Sequence, residues 1–109
     1  MNIFSINIQE PYRSFVLRGE KTVEGRLNRG KFTLIKTGDI LEIEPERVQF
    51  EVVGKNNYPS FKEMIEKEGI KNVLPDKDNI EEAVDVYYRF FTKEQEEEFG
   101  VVAIKIKRK

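Results

Sequence analysis

The 109-residue chain contains no cysteine and no histidine. The first absence excludes disulfides, thiolate metal sites and a cysteine nucleophile. The second removes the commonest general base and the commonest zinc ligand. Any chemistry must use Lys, Arg, Asp, Glu, Tyr, Ser or Thr, and neither a cofactor nor a bound metal is expected. No run approaches the ~18 unbroken apolar residues of a membrane span. The opening MNIFSINIQEPY has no basic segment ahead of a long apolar one. No secretory signal is read there, so a cytoplasmic location without a membrane partner is expected. Methionine is scarce while Lys and Glu are abundant, a composition typical of thermophiles, in which surface ion pairs help because desolvating ions costs less when hot.

What is present is dominated by charge, at 36% of residues against 39% apolar. This length reads as one domain over residues 1–109, able to bury roughly two thirds of its unfolded surface. The net charge of −1 is unevenly spread. Residues 13–36 carry seven cations against Glu20 and Glu24, and residues 37–100 carry eight cations against 17 acids. Residues 101–109 add Lys105, Lys107, Arg108 and Lys109. Two basic segments around an acidic middle fit either one positive face or charge scattered over the surface.

NIFSINI (2–8) reads as a strand. QEPYRSFVLRG reads as a helix, with Pro11 in its first turn, Tyr12, Phe15 and Val16 on one face, and Gly19 as its stop. KTVEGRL is the next strand, RGKF a loop, and KTGD a turn before ILEIE, where Leu41 and Ile43 alternate with Glu42 and Glu44. RVQFEVV alternates again through Val48, Phe50 and Val52. Three capping boxes follow, Ser60 with Glu63, Asp78 with Glu81 and Thr92 with Gln95. The first opens a helix that Gly69 ends. The second precedes an apolar stripe of Ile80, Val84, Tyr87, Tyr88 and Phe91, and the third opens a short helix ending at Gly100. VVAIKIK closes the chain as a strand, with Val102, Ile104 and Ile106 inward and Lys105 and Lys107 outward. This order is not the alternating βαβα of a doubly wound sheet. It predicts an α+β fold, a small mixed β-barrel with helices packed around it, in which closure sets the last strand beside an early one.

GEKTVEGRL (19–27) resembles the G-x-K-x-x-E-x-R signature of the ASCH family, here as Gly19, Lys21, Glu24 and Arg26. The resemblance continues through KTGDILEIE and YPSFKEMIEKEG to the closing GVVAIKI, nearly the whole chain. It implies a PUA-like pseudobarrel with a cleft beside the first helix, and RNA as the partner. One branch of the family comprises acetylcytidine amidohydrolases, whose proposed machinery is a Lys, a Thr three residues later as nucleophile, and a Glu from the helical region. Carried over, the Lys falls on Lys21, the Glu near Glu68, and the Thr position on Glu24. A carboxylate cannot replace a hydroxyl nucleophile without changing the covalent intermediate. Thr22 is the nearest hydroxyl.

Each of these residues has two readings. Lys21 is either a buried lysine of lowered pKa or a phosphate partner on the one hand, or a surface lysine after a helix cap on the other. In an ideal strand it faces away from Thr22, Glu24 and Arg26, unless Gly19 delays the start of the strand. Glu24 and Arg26 form either a structural ion pair or a paired acceptor and planar donor for a base and a phosphate. Tyr58 either stacks on a base or packs, and Phe32 in RGKF either touches RNA or does not. Ser60 reads as an N-cap, Tyr87 and Tyr88 as core, and Glu94, Glu96, Glu97 and Glu98 as a solvated face, since one short helix rarely converges metal ligands. The leading expectation is a module that binds RNA or a nucleoside-like molecule through Lys21, Thr22, Glu24, Arg26 and Tyr58. The alternatives are a small amidohydrolase using Lys21, Glu24 and Glu68, and a protein-interaction domain with no ligand site.

Overall fold

Alternation and glycine stops divide the chain, and the computed structural model describes residues 1–109 throughout. Strand β1 (Ile3–Asn7) leads through α1 (Tyr12–Leu17) to β2 (Val23–Leu27). RGKF is not an open loop. Gly30–Thr33 closes into a 3-10 turn, with the Thr33 hydroxyl donating to the Gly30 carbonyl at 2.8 Å. Strands β3 (Ile40–Glu44) and β4 (Val48–Tyr58) form a hairpin. Helices α2 (Phe61–Glu68), α3 (Ile70–Val73), α4 (Ile80–Tyr88) and α5 (Lys93–Phe99) make up the insertion before β5 (Val101–Arg108).

The five strands form one sheet in the order β1-β3-β4-β5-β2, with β1 parallel to β3 and the other neighbours antiparallel. The last strand lies beside an early one, Val23 opposite Lys105 and Leu27 opposite Val101, as barrel closure requires. The sheet curls into a half-barrel whose edge strands, β1 and β2, do not pair with each other. Side chains cross that seam instead. Arg26 Nη2 donates to the Asn7 carbonyl at 2.5 Å, and the Lys31 ammonium donates to the Ser5 carbonyl. Edge carbonyls of β1 are thereby satisfied and the edge is blunted by charge.

Two apolar clusters lie on opposite faces of the sheet. Val101 and Ala103 pack with Phe61, Met64 and Ile65 of α2, while Val102, Ile104 and Ile106 pack with Leu41, Phe50 and Val52 inside the curl. β5 is thus buried on both faces over its first half, which is why VVAI is continuously apolar. Each fully buried Ile, Leu or Phe contributes ~1.5–3 kcal/mol relative to exposure. No helix is long and apolar enough to cross a membrane.

The helix starts depart from the sequence reading in two places. Ser60 Oγ accepts from the Glu63 N–H at 3.1 Å, and Thr92 and Gln95 form a reciprocal box. At the middle helix the cap is Asn79, not Asp78. Its Oδ1 accepts from the Glu82 N–H at 3.1 Å, because Asp78 is drawn away to Lys71 at 2.5 Å. The acidic run of α5 is also not wholly solvated. Glu96 is buried and accepts from the Phe61 N–H at 2.7 Å and from the Tyr88 hydroxyl at 2.6 Å. It places a carboxylate at the N-terminus of α2, where free N–H groups and the helix dipole favour negative charge.

Candidate functional site

The turn after α1 sets the site. Gly19 takes φ +80°, and the N–H groups of Glu20 and Lys21 both bond to the Phe15 carbonyl. This delays the strand until Val23, so Lys21 precedes the β alternation and turns to the same side as Glu24. Its ammonium is buried, with Val23 O at 2.6 Å, Val73 O at 2.5 Å and Glu24 Oε1 at 3.3 Å. Three acceptors around three N–H donors leave no free donor. The Val73 carbonyl comes from α3, a single turn in a stretch to which the sequence reading assigns no element.

Glu24 is the centre of the cluster. Its Oε2 accepts from Arg26 Nε at 2.8 Å and stands 2.8 Å from Nη2 in an ion pair, leaving Oε1 with only the longer Lys21 contact. Burial alone would raise the carboxyl pKa, but the charges of Arg26 and then Lys21 outweigh it and hold it below the usual range. Burial pushes the Lys21 ammonium downward while Glu24 pulls it back. The guanidinium of Arg26 also lies 5.0 Å from the centre of the Phe32 ring, and its Nη1 takes no protein acceptor. Phe32 therefore stacks on a site residue from outside the cavity.

These charges line the floor of a cavity of about 270 Å³. Its walls are Tyr12 of α1, Asn7 and Gln9 from the end of β1, and Tyr87, Phe90 and Phe91 from the end of α4. Phe90 is half exposed at 52%, whereas Tyr87 is buried. Burial, with the Asp76 carboxylate nearby, pushes the Tyr12 phenol up to about 12. This volume lies just under the ~300–1,000 Å³ of drug-sized pockets, which sets the scale of a small molecule.

The structure gathers Lys21, Glu24 and Arg26 here and leaves three other residues elsewhere. Thr22 is exposed, with its backbone bonded to Asn72 O and the Ile106 N–H. Tyr58 and Glu68 do not border the cavity. The Tyr58 hydroxyl donates to Glu68 Oε2 at 2.5 Å, Asn56 donates to the same oxygen at 2.9 Å, and Lys105 stands 3.7 Å from Oε1. Glu68 is a buried anchor between β4, β5 and α2. Sequence reasoning missed Tyr12, Tyr87 and Phe91 as walls because each fits an apolar helix stripe, and Phe90, just past the end of α4, carried no signal at all.

A curled half-barrel with helices outside it, and a charged cleft with aromatic walls beside the first helix, define a small PUA-like module. The chain belongs to the ASCH domain family, whose model matches residues 6–109. Among solved structures it is similar to hypothetical protein PH0355, at 45% identity over all of both chains with a TM-score of 0.93. It is also similar to protein PF0455 from Pyrococcus furiosus, at 40% identity over 97% of this chain and 96% of that one, TM-score 0.82. No curated protein matches it.

Proposed function

We propose that this ASCH domain binds a nucleobase, carried by single-stranded RNA or by a free nucleoside, in the cleft between α1, β2 and α4. One observation supports this above others: a carboxylate with a spare acceptor lies on the floor of a small cavity with aromatic walls. Glu24 Oε1 accepts a ring or exocyclic N–H, Arg26 Nη1 supplies a donor, and Tyr12, Phe90 and Phe91 offer surfaces for stacking. Lys21 holds Glu24 in place and contacts no ligand. Phosphates of a bound strand stay outside, near exposed basic residues such as Arg89, which follows α4 and is close enough for its charge to act on Tyr12, and the protein acts in the cytoplasm without metal or cofactor.

Hydrolysis is the weaker reading. Position 24 carries no hydroxyl, Thr22 lies outside the cavity, and the phenols of Tyr12 and Tyr87 are both held neutral at ordinary pH. The test is calorimetric titration of the four ribonucleosides and a short single-stranded RNA into wild type and Glu24→Gln, with acetylcytidine turnover followed by chromatography. Binding lost by at least tenfold in Glu24→Gln, without turnover, supports the reading. Turnover abolished by Lys21→Ala would make the protein an amidohydrolase.

A further inference from the structure

Resting on that ligand reading, we propose that Tyr87 orients the bound base, its hydroxyl donating to a neutral acceptor on the ligand, a carbonyl oxygen or ring nitrogen, beside the N–H accepted by Glu24. Tyr87 is 6% exposed and lines the cavity, yet its hydroxyl has no hydrogen-bond partner. Native folds rarely leave such a group unpaired.

The hydroxyl is positioned by packing and not by a polar contact. Its ring stacks on Phe61 at 4.5 Å and 9°, and Phe61 stacks in turn on Phe91 at 5.5 Å and 16°. Across from it, β2 carries a glycine in mid-strand. A Cβ at Gly25 would stand 3.1 Å from Tyr87 Oη and 2.6 Å from Met64 Cε. Gly25 therefore leaves the space through which the phenol reaches the wall between Glu24 and Arg26. Burial first, and then the Glu24 charge, push the phenol well above its ordinary value. It stays protonated at every working pH and keeps its donor.

The donor and acceptor inventory also says which end of a nucleotide enters. A phosphate presents acceptors only and would face the Glu24 carboxylate at the floor. A base presents an N–H next to a carbonyl or ring nitrogen, which matches an adjacent acceptor and neutral donor. The base goes in and the phosphate stays out.

Tyr87→Phe keeps the stack and removes only the hydroxyl. Titrated with the four ribonucleosides, it should bind the preferred one about tenfold more weakly than wild type, with an unchanged or higher melting temperature because a buried unpaired group is gone. Tyr88→Phe is the comparison. It loses the bond to Glu96 and should melt lower at unchanged affinity. Tyr87→Phe binding within twofold of wild type overturns the proposal while leaving the nucleobase reading intact. A fall of several degrees in its melting temperature also overturns it, by showing that the hydroxyl has a structural partner. Wild-type protein that binds none of the four nucleosides and no RNA overturns both.

Discussion

At the scale of single residues, Lys21 and Glu24 are worth more as a pair than either is alone. Each supplies the counter-charge of the other in a buried position at the base of the cleft, and breaking such a pair costs ~3–5 kcal/mol. Lys21→Met leaves Glu24 with Arg26 alone and frees the Val23 and Val73 carbonyls. Glu24→Gln leaves two cations facing each other. The double variant Lys21→Met/Glu24→Gln should lose clearly less stability than the sum of the singles, measured as a double-mutant cycle in urea. Strict additivity would mean the two charges are not coupled. The pH dependence follows from the sign of the Glu24 shift. Its folded pKa lies below the ordinary 4.5, so its stabilisation is complete above that value and is lost as pH falls through the folded one. Glu24→Gln should therefore show a flatter stability profile below pH ~4.5 than wild type does.

At the scale of elements, helix starts decide where stability is concentrated. Glu96 caps α2 from another helix, and its two hydrogen bonds join α2, α4 and α5. Glu96→Ala should cost ~2–3 kcal/mol in urea unfolding, since a buried N–H and a hydroxyl both lose a charged acceptor. Its neighbours Glu97→Ala and Glu98→Ala should stay within about 0.5 kcal/mol. Asn79→Ala should cost ~1 kcal/mol, and Asp78→Ala distinctly less. The reverse ranking would return the cap to Asp78. The sequence signals here were correct in kind and shifted in place. Ser, Thr, Asn and Asp all announce a helix start, but Asp78 and Asn79 are adjacent and equally able to cap. Only the ammonium of Lys71, seven residues back, settles which one does.

At the scale of the whole molecule, the half-barrel is closed by two long cations and not by strand pairing. Removing one should loosen an edge without unfolding the sheet. Lys31→Ala should speed amide hydrogen exchange in β1, while β4 and β5 keep wild-type protection. Uniform loosening would show that the Ser5 contact supports the entire fold. The fold also disposes of much of the basic charge. Arg13 pairs with Glu10 and Glu46, Arg18 with Glu20, Arg26 with Glu24, and Lys105 with Glu68. Lys31 and Arg108 are tied to backbone carbonyls, which leaves Arg29, Lys36, Lys107 and Lys109 in the two basic segments for phosphates, so RNA binding should weaken moderately with salt, with a log–log slope of about −3. A slope several times steeper would restore the single positive face that the two basic segments suggested.

The strands, four of the five helices and the class of fold were legible because they rest on short-range physics. Side chains alternate with period two in a strand, glycine accepts φ near +80° after α1, and Ser60 and Thr92 satisfy N–H groups three residues on. The GEKTVEGRL motif likewise marked Lys21, Glu24 and Arg26 from one stretch of chain. Which atoms meet was a different matter. The cavity joins residues 7–12, 21–26, 74 and 86–91, and no local period relates those segments. An ideal strand would have turned Lys21 away from Glu24; Gly19 left a delayed start open, and the late start of β2 with the arrival of α3 brought the ammonium inward. Tyr87 looks like any core aromatic until Gly25 and the Phe61 stack place its hydroxyl in the cleft. Glu68 and Tyr58 look like site residues until the β4–β5 pairing and α2 bring them together away from it. Backbone conformation is fixed within a few residues, whereas the pairing of buried polar groups is fixed by whatever tertiary packing sets beside them.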